Sequence, residues 1–228
     1  SGFSPLISQE QYIKNIRKIR HLIAADETHQ VNYTFPLQAA FHGNSLSWFQ
    51  QLCAAQQADY CAWLNLGNFH ILSASPELFF RLKSHKLETM PMKGTRKRGR
   101  WSEEDLKIAA SLIDSEKDRA ENVMIVDLLR NDMSRISEPG SVNVAKLFNI
   151  EQYPTVWQMT STITSRTRSS VPEIIKALFP CGSITGAPKV RTMEIIRDIE
   201  PFPRGIYCGT IGWWHLREKR NSMLLSGQ

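Results

Sequence analysis

Lys93 stands in the run Met-Pro-Met-Lys-Gly-Thr-Arg, which has no helical character. Pro91 favours an extended approach, and Gly94 permits backbone to come close to a ligand. A lysine held this way can act as a nucleophile or a base once its surroundings lower its pKa. The plain alternative is an exposed basic loop. Upstream, Ser75-Pro76-Glu77 closes an apolar segment. A carboxyl beside apolar residues can keep its proton and serve as a general acid; otherwise Glu77 is a solvated strand end. Asp118 and Glu121 are three residues apart, so a helix brings both to one face. Two such carboxylates can hold magnesium together with water and substrate oxygens, or simply form a solvated face. The stretch 182–189 reads Gly-Ser-Ile-Thr-Gly-Ala-Pro-Lys. Its small residues (Gly182, Gly186) and hydroxyls (Ser183, Thr185) ahead of a helix suit an anion, with an ordinary capped loop as the alternative. Glycine spacing and Pro188 exclude a Walker A motif. Tyr207, in Arg-Gly-Ile-Tyr-Cys-Gly, can donate to a carboxylate or be a satisfied core residue.

These residues need a scaffold. Ser8 and Gln11 form a capping-box pattern, and Tyr12, Ile16, Ile19 and Ile23 follow at helical spacing, which predicts a helix over 9–25. Two apolar runs, 60–66 and 69–74, flank Gly67-Asn68 and predict a hairpin. Leu78-Phe79-Phe80 continues the strand-rich part towards Lys93. Helices are expected over 103–115 and 117–130, then strands over 141–150 and 156–165. Pro172 opens a helix to about Phe179. Val190, Met193, Ile196 and Ile199 mark one more helix, followed by a strand over 206–213. Strands group with strands, so the class is α+β, built of antiparallel sheets with outer helices.

The chain has 228 residues, 42% hydrophobic, enough for a real core. No apolar run is long enough to span a membrane, and no signal-peptide pattern opens the sequence. Four scattered cysteines lack metal-ligand spacing and read as reduced thiols of a cytoplasmic protein. A net charge of +6 suits an anionic ligand or an acidic partner. The basic clusters at 96–100 and 217–220 lack interleaved aromatics, which argues against nucleic acid.

In order along the chain, Ser-Pro-Glu, Pro-Met-Lys-Gly-Thr-Arg, Ala-Glu-Asn-Val-Met-Ile-Val-Asp-Leu-Leu-Arg-Asn-Asp, Gly-Ser-Ile-Thr-Gly-Ala-Pro-Lys and Arg-Gly-Ile-Tyr-Cys-Gly resemble the chorismate-utilising enzymes. That family includes anthranilate, aminodeoxychorismate, isochorismate and salicylate synthases, and the resemblance covers residues 5–213. Anthranilate synthases have alanine where Lys93 stands. Lysine there resembles the branch that makes 4-amino-4-deoxychorismate, the precursor of p-aminobenzoate and folate. The resemblance implies one domain over 1–228, with ammonia supplied by a glutamine amidotransferase partner. It implies that Lys93 attacks carbon 2 of chorismate and expels the 4-hydroxyl, with Glu77 as acid. Ammonia then attacks carbon 4 and releases the lysine. Glu121 is implied as a magnesium (Mg2+) ligand with Asp118 as its partner. Gly182, Ser183, Thr185 and Gly186, with Thr95 and Tyr207, are implied as substrate residues. An isochorismate- or salicylate-forming enzyme is the alternative, as is a non-catalytic fragment.

The sequence departs from the pattern in three places. Gln158 replaces a histidine present in many relatives. The amino-terminal part of the usual subunit is missing. After Trp213 the residues leave the pattern, and one choice of codons for them reads, in another frame, as a hairpin and the family's Phe-Asn-Val-Ala-Ile-Arg-Thr. A frameshift near Trp214 is therefore expected, with loss of a carboxylate-gripping arginine and a second glutamate ligand. Missing core strands would leave open sheet edges and invite oligomers.

Overall fold

The computed structural model describes residues 2–215 and 222–227. The chain opens with β1 (Ser4–Pro5), α1 (Gln9–Ala24), β2 (Gln30–Val31) and β3 (Leu37–Gln38). Next come α2 (Ser45–Gln56), β4 (Tyr60–Asn65), β5 (His70–Ser75), β6 (Leu78–Lys83), β7 (Lys86–Met90) and β8 (Met92–Lys97). The middle holds α3 (Ser102–Ile113), α4 (Glu116–Ser134), β9 (Asn143–Gln152), β10 (Val156–Arg166) and α5 (Val171–Leu178). A 3-10 turn (Gly182–Ile184), β11 (Gly186–Ala187), α6 (Lys189–Ile199), β12 (Thr210–His215) and β13 (Ser222–Gly227) complete it. Every strand pair is antiparallel, as expected for the α+β class. No helix among the described residues is long and apolar enough to cross a membrane.

The chain divides into two compact units, residues 1–43 with 180–208, and 44–179 with 209–228. In the first unit, Ile19 of α1 packs on Ile195 and Ile199 of α6. Ser8 caps α1 by accepting from the Gln11 amide at 3.1 Å, as its capping pattern predicts. In the second unit a seven-stranded sheet runs β12-β13-β6-β7-β10-β8, and β9 pairs with the other side of β10. β7 and β8 both pair with β10, so they form one strand line interrupted at Pro91. The buried stripe of α4 (Ile125, Val126, Leu129, Met133) covers part of this unit's core.

Three expectations need correction. α2 was not foreseen: none of its residues is buried, so it shows no clear apolar stripe. The last long strand starts at Thr210, not 206, because 205–208 form a turn in which the Tyr207 amide bonds the Arg204 carbonyl at 3.1 Å. Open sheet edges are expected where core strands are missing, yet β6 is paired on both sides. Ser222–Gly227 pairs with β6 on one side and β12 on the other. Strand pairing uses backbone groups that every non-proline residue carries. The basic cluster at 217–220 lies outside the described residues.

Candidate functional site

Lys93 lies in β8 at an irregularity. Met92 pairs with Thr160 and Thr95 with Gln158, so Lys93 and Gly94 stand against Met159 alone. That is a β-bulge, a device that re-aims side chains and is common beside active sites. Gly94 supplies the conformation, with φ at +97°. A Cβ there would meet Asp118, Leu112 and Met159 at 3.2 Å each. The glycine was expected to let a ligand approach. In the structure it lets β8 pass close under α3, α4 and β10.

The three arginines after Lys93 each meet an acidic partner. Arg96 bonds Asp118 at 2.5 Å, Arg98 grips Asp105 through two nitrogens, and Arg100 faces Glu104 at 3.4 Å. Asp105 also accepts from the Trp157 indole at 2.8 Å and the Gly99 amide at 2.8 Å. Arg98, aided by these donors against the effect of burial, holds its carboxyl well below the usual range. These arginines fasten β8 and the residues after it to α3 and α4.

Asp118 and Glu121 share α4 but not an environment. Asp118 is buried at the start of the helix stripe, while Glu121 sits half-buried on its shoulder. Burial pushes the Asp118 carboxyl up, but bonds from Ser115 and Arg96 and the charges of Arg96 and Lys117 outweigh it and leave it lowered. Its oxygen is therefore given to Arg96. Glu121 faces Lys117 at 3.9 Å. Among the described residues no three His, Cys, Asp or Glu side chains gather into a metal cage. Magnesium asks for less, one or two carboxylates with water and substrate oxygens, so Glu121 suits it as a single protein ligand.

Two buried links, absent from the sequence reading, steady this region. Ser161 donates to Asn122 Oδ1 at 2.6 Å, and the Ser161 amide bonds the Pro91 carbonyl at 3.1 Å. Helix α4, strand β10 and the residue before Met92 are thus tied at one point. Thr95 donates to the Gln158 side-chain oxygen at 2.5 Å. Glu77 follows β5 at the turn into β6, where its amide bonds Ser75 Oγ at 3.2 Å.

The remaining expected residues lie in the first unit. Gly182, Ser183, Thr185 and Gly186 are buried. Thr185 donates to the Cys181 carbonyl at 3.0 Å, and Ser183 Oγ lies 3.1 Å from Cys181 Sγ. Gly186, with φ at +144°, passes so close to the Gln30 carbonyl that a Cβ could not fit. Thr185 and Gly186 thus shape this loop through its own backbone. Tyr207 is 59% exposed rather than a core residue. Partial burial, then Cys208, pushes its hydroxyl pKa up, against the pull of Arg204. It borders a cavity of about 420 Å³ with Phe35, Pro36, Phe202 and Pro203. Arg204, unremarked in the sequence, braces the turn: it bonds Glu200 at 2.7 Å, the Ile184 carbonyl at 2.8 Å and the Asn32 carbonyl at 2.6 Å. Its motif was visible, but nothing in residue type alone separates a bracing arginine from a ligand-binding one.

A family model described as chorismate binding enzyme matches residues 1–224, across both units. The chain is 42% identical over 215 residues to aminodeoxychorismate synthase component 1 of Klebsiella aerogenes, covering 93% of this chain and 48% of that protein. It is 43% identical over 215 residues to the protein of the same name from Salmonella typhimurium, covering 93% and 47%. The solved structure of anthranilate synthase component I from Streptococcus pneumoniae matches with a TM-score of 0.88 at 30% identity, over 98% of this chain and 50% of that one. The chain spans about half the length of the curated relatives it matches.

Proposed function

The chain belongs to the chorismate binding enzyme family, and from that premise we propose that it carries the amination chemistry that turns chorismate into 4-amino-4-deoxychorismate, for p-aminobenzoate and folate. The observation that carries this reading is Lys93 in the β8 bulge, in a chain 42–43% identical to proteins named aminodeoxychorismate synthase component 1. A bulge held by α3, α4 and β10 presents a lysine on rigid backbone, which a nucleophile needs.

The Lys93 amine attacks carbon 2 of chorismate. Both conjugated ring double bonds shift, from carbons 1–2 to 1–6 and from 5–6 to 4–5, and the bond from carbon 4 to its hydroxyl breaks. Glu77 gives the departing oxygen a proton. Ammonia then bonds carbon 4, both double bonds return, and the bond from carbon 2 to Lys93 breaks, restoring the amine. Glu121 would hold magnesium, which neutralises a substrate carboxylate. Asp118 keeps Arg96, and with it β8, in place. Gly182, Ser183 and Tyr207 belong to the first unit, and their part in binding is proposed on the family pattern alone. The relatives' name, component 1, supports a second subunit, a glutamine amidotransferase, as the ammonia source. A cytoplasmic location follows from this biosynthetic role.

The test supplies chorismate, magnesium and ammonia and detects aminodeoxychorismate by coupling to a lyase. Turnover is expected, and Lys93→Ala should lower it on the order of 1000-fold or more. Anthranilate or isochorismate as the product would sink the reading.

A further inference from the structure

Along β10, Trp157 and Met159 pack with Leu112 of α3. Side chains alternate along a strand, so Gln158 faces the other side of the sheet. Gln158 is paired with Thr95 of β8 on one side and with Glu151 of β9 on the other. Directly opposed residues share a face, so Thr95, Gln158 and Glu151 form a polar row across three strands. The amination steps give no role to Gln158 or Glu151.

The hydrogens in this row have a definite direction. Thr95 Oγ1 and Gln158 Oε1 are 2.5 Å apart. An amide oxygen carries no hydrogen, so the Thr95 hydroxyl is the donor of this bond. A hydroxyl has one hydrogen, and this one is spent on Gln158. Thr95 is exposed, so what it offers a ligand is lone pairs. Glu151 is an acceptor too, already taking hydrogens from Thr160 at 3.0 Å and the Tyr153 hydroxyl at 3.2 Å.

We infer that the Thr95 hydroxyl is an acceptor seat for an O–H or N–H donor, with Gln158 as the positioning residue that sets its polarity by taking its hydrogen. This rests on the amination reading, which supplies two such donors: the chorismate hydroxyl and ammonia. Histidine at 158 could either donate or accept; glutamine with its oxygen turned to Thr95 can only accept there.

The experiment uses the full chain. Chorismate affinity is measured by calorimetric titration, and the KM for ammonia by the lyase-coupled assay, with thermal melts as a check on folding. Thr95→Val and Gln158→Met should each weaken one of these constants about tenfold, the worth of one hydrogen bond. Thr95→Ser, which keeps the hydroxyl, should stay within about twofold. A loss in chorismate affinity names the substrate hydroxyl as the seated group. A loss confined to the ammonia KM names the nucleophile. Thr95→Val or Gln158→Met with both constants unchanged, in a chain that binds chorismate, overturns the inference and leaves the reading standing. A wild-type chain that does not bind chorismate overturns the reading and the inference with it.

Discussion

At the scale of single residues, acid and base partners are divided between chemistry and fastening. Asp118 and Glu121 look equivalent three residues apart, yet only Asp118 is buried against an arginine. Its carboxyl is lowered in the folded chain, so its contribution is full above the unfolded value of about 4 and is lost as pH falls through the folded value. Asp118→Asn is expected to destabilise the chain by about 1–2 kcal/mol at neutral pH, between the worth of exposed and buried pairs. Urea unfolding should also show the variant losing less stability than wild type between pH 7 and pH 3. Equal losses would mean that the Arg96 pair carries no stability. The carboxylate pair was legible in the sequence. Which member was taken by Arg96 was not, because Arg96 is 22 residues away in sequence and meets Asp118 only when β8 lies under α4.

At the scale of elements, the bulge in β8 is the device on which the proposed chemistry depends. Gly94→Ala would put a Cβ against three neighbours in a conformation that non-glycine residues avoid. A loss of about 2 kcal/mol or more is expected in chemical denaturation, together with a fall in turnover larger than that of an exposed-site control such as Lys107→Ala. Unchanged stability would show that β8 can yield at this point. The bulge has no counterpart in residue pattern, since Lys93-Gly94 against Met159 is a property of the pairing. The hairpin from β6 to β7 was hidden for a related reason. Its turn residues, Ser84 and His85, both adopt positive φ without the glycine or asparagine that usually marks such turns. Helices α1, α3, α4, α5 and α6 and the β4–β5 hairpin were legible, because caps, proline placement and apolar spacing act within a few residues.

At the scale of the whole molecule, the seven-stranded sheet of the second unit depends on a strand from the end of the sequence. β13 lies between β6 and β12, where Leu225 pairs with both Phe80 and Gly212. Proline at an inner strand removes a ladder hydrogen bond, so Leu225→Pro should cost about 3 kcal/mol or more in thermal or urea unfolding. Deleting residues 222–228 should leave the β6 edge unpaired and produce concentration-dependent association by light scattering. A monomeric deletion variant with wild-type stability would show that the edge needs no partner. The order of short motifs along the chain determined the family, and the grouping of strands with strands the α+β class, because both are carried by local residue types. Tertiary structure decided the rest: that Gly94 makes room for packing, that the three arginines after Lys93 meet acidic partners, that Thr95 points its hydrogen at Gln158, and that β6 has a neighbour. Most of these are meetings of segments distant in sequence. Residue types alone leave such meetings undetermined, since a charged or polar side chain reads the same until the group that faces it is in place.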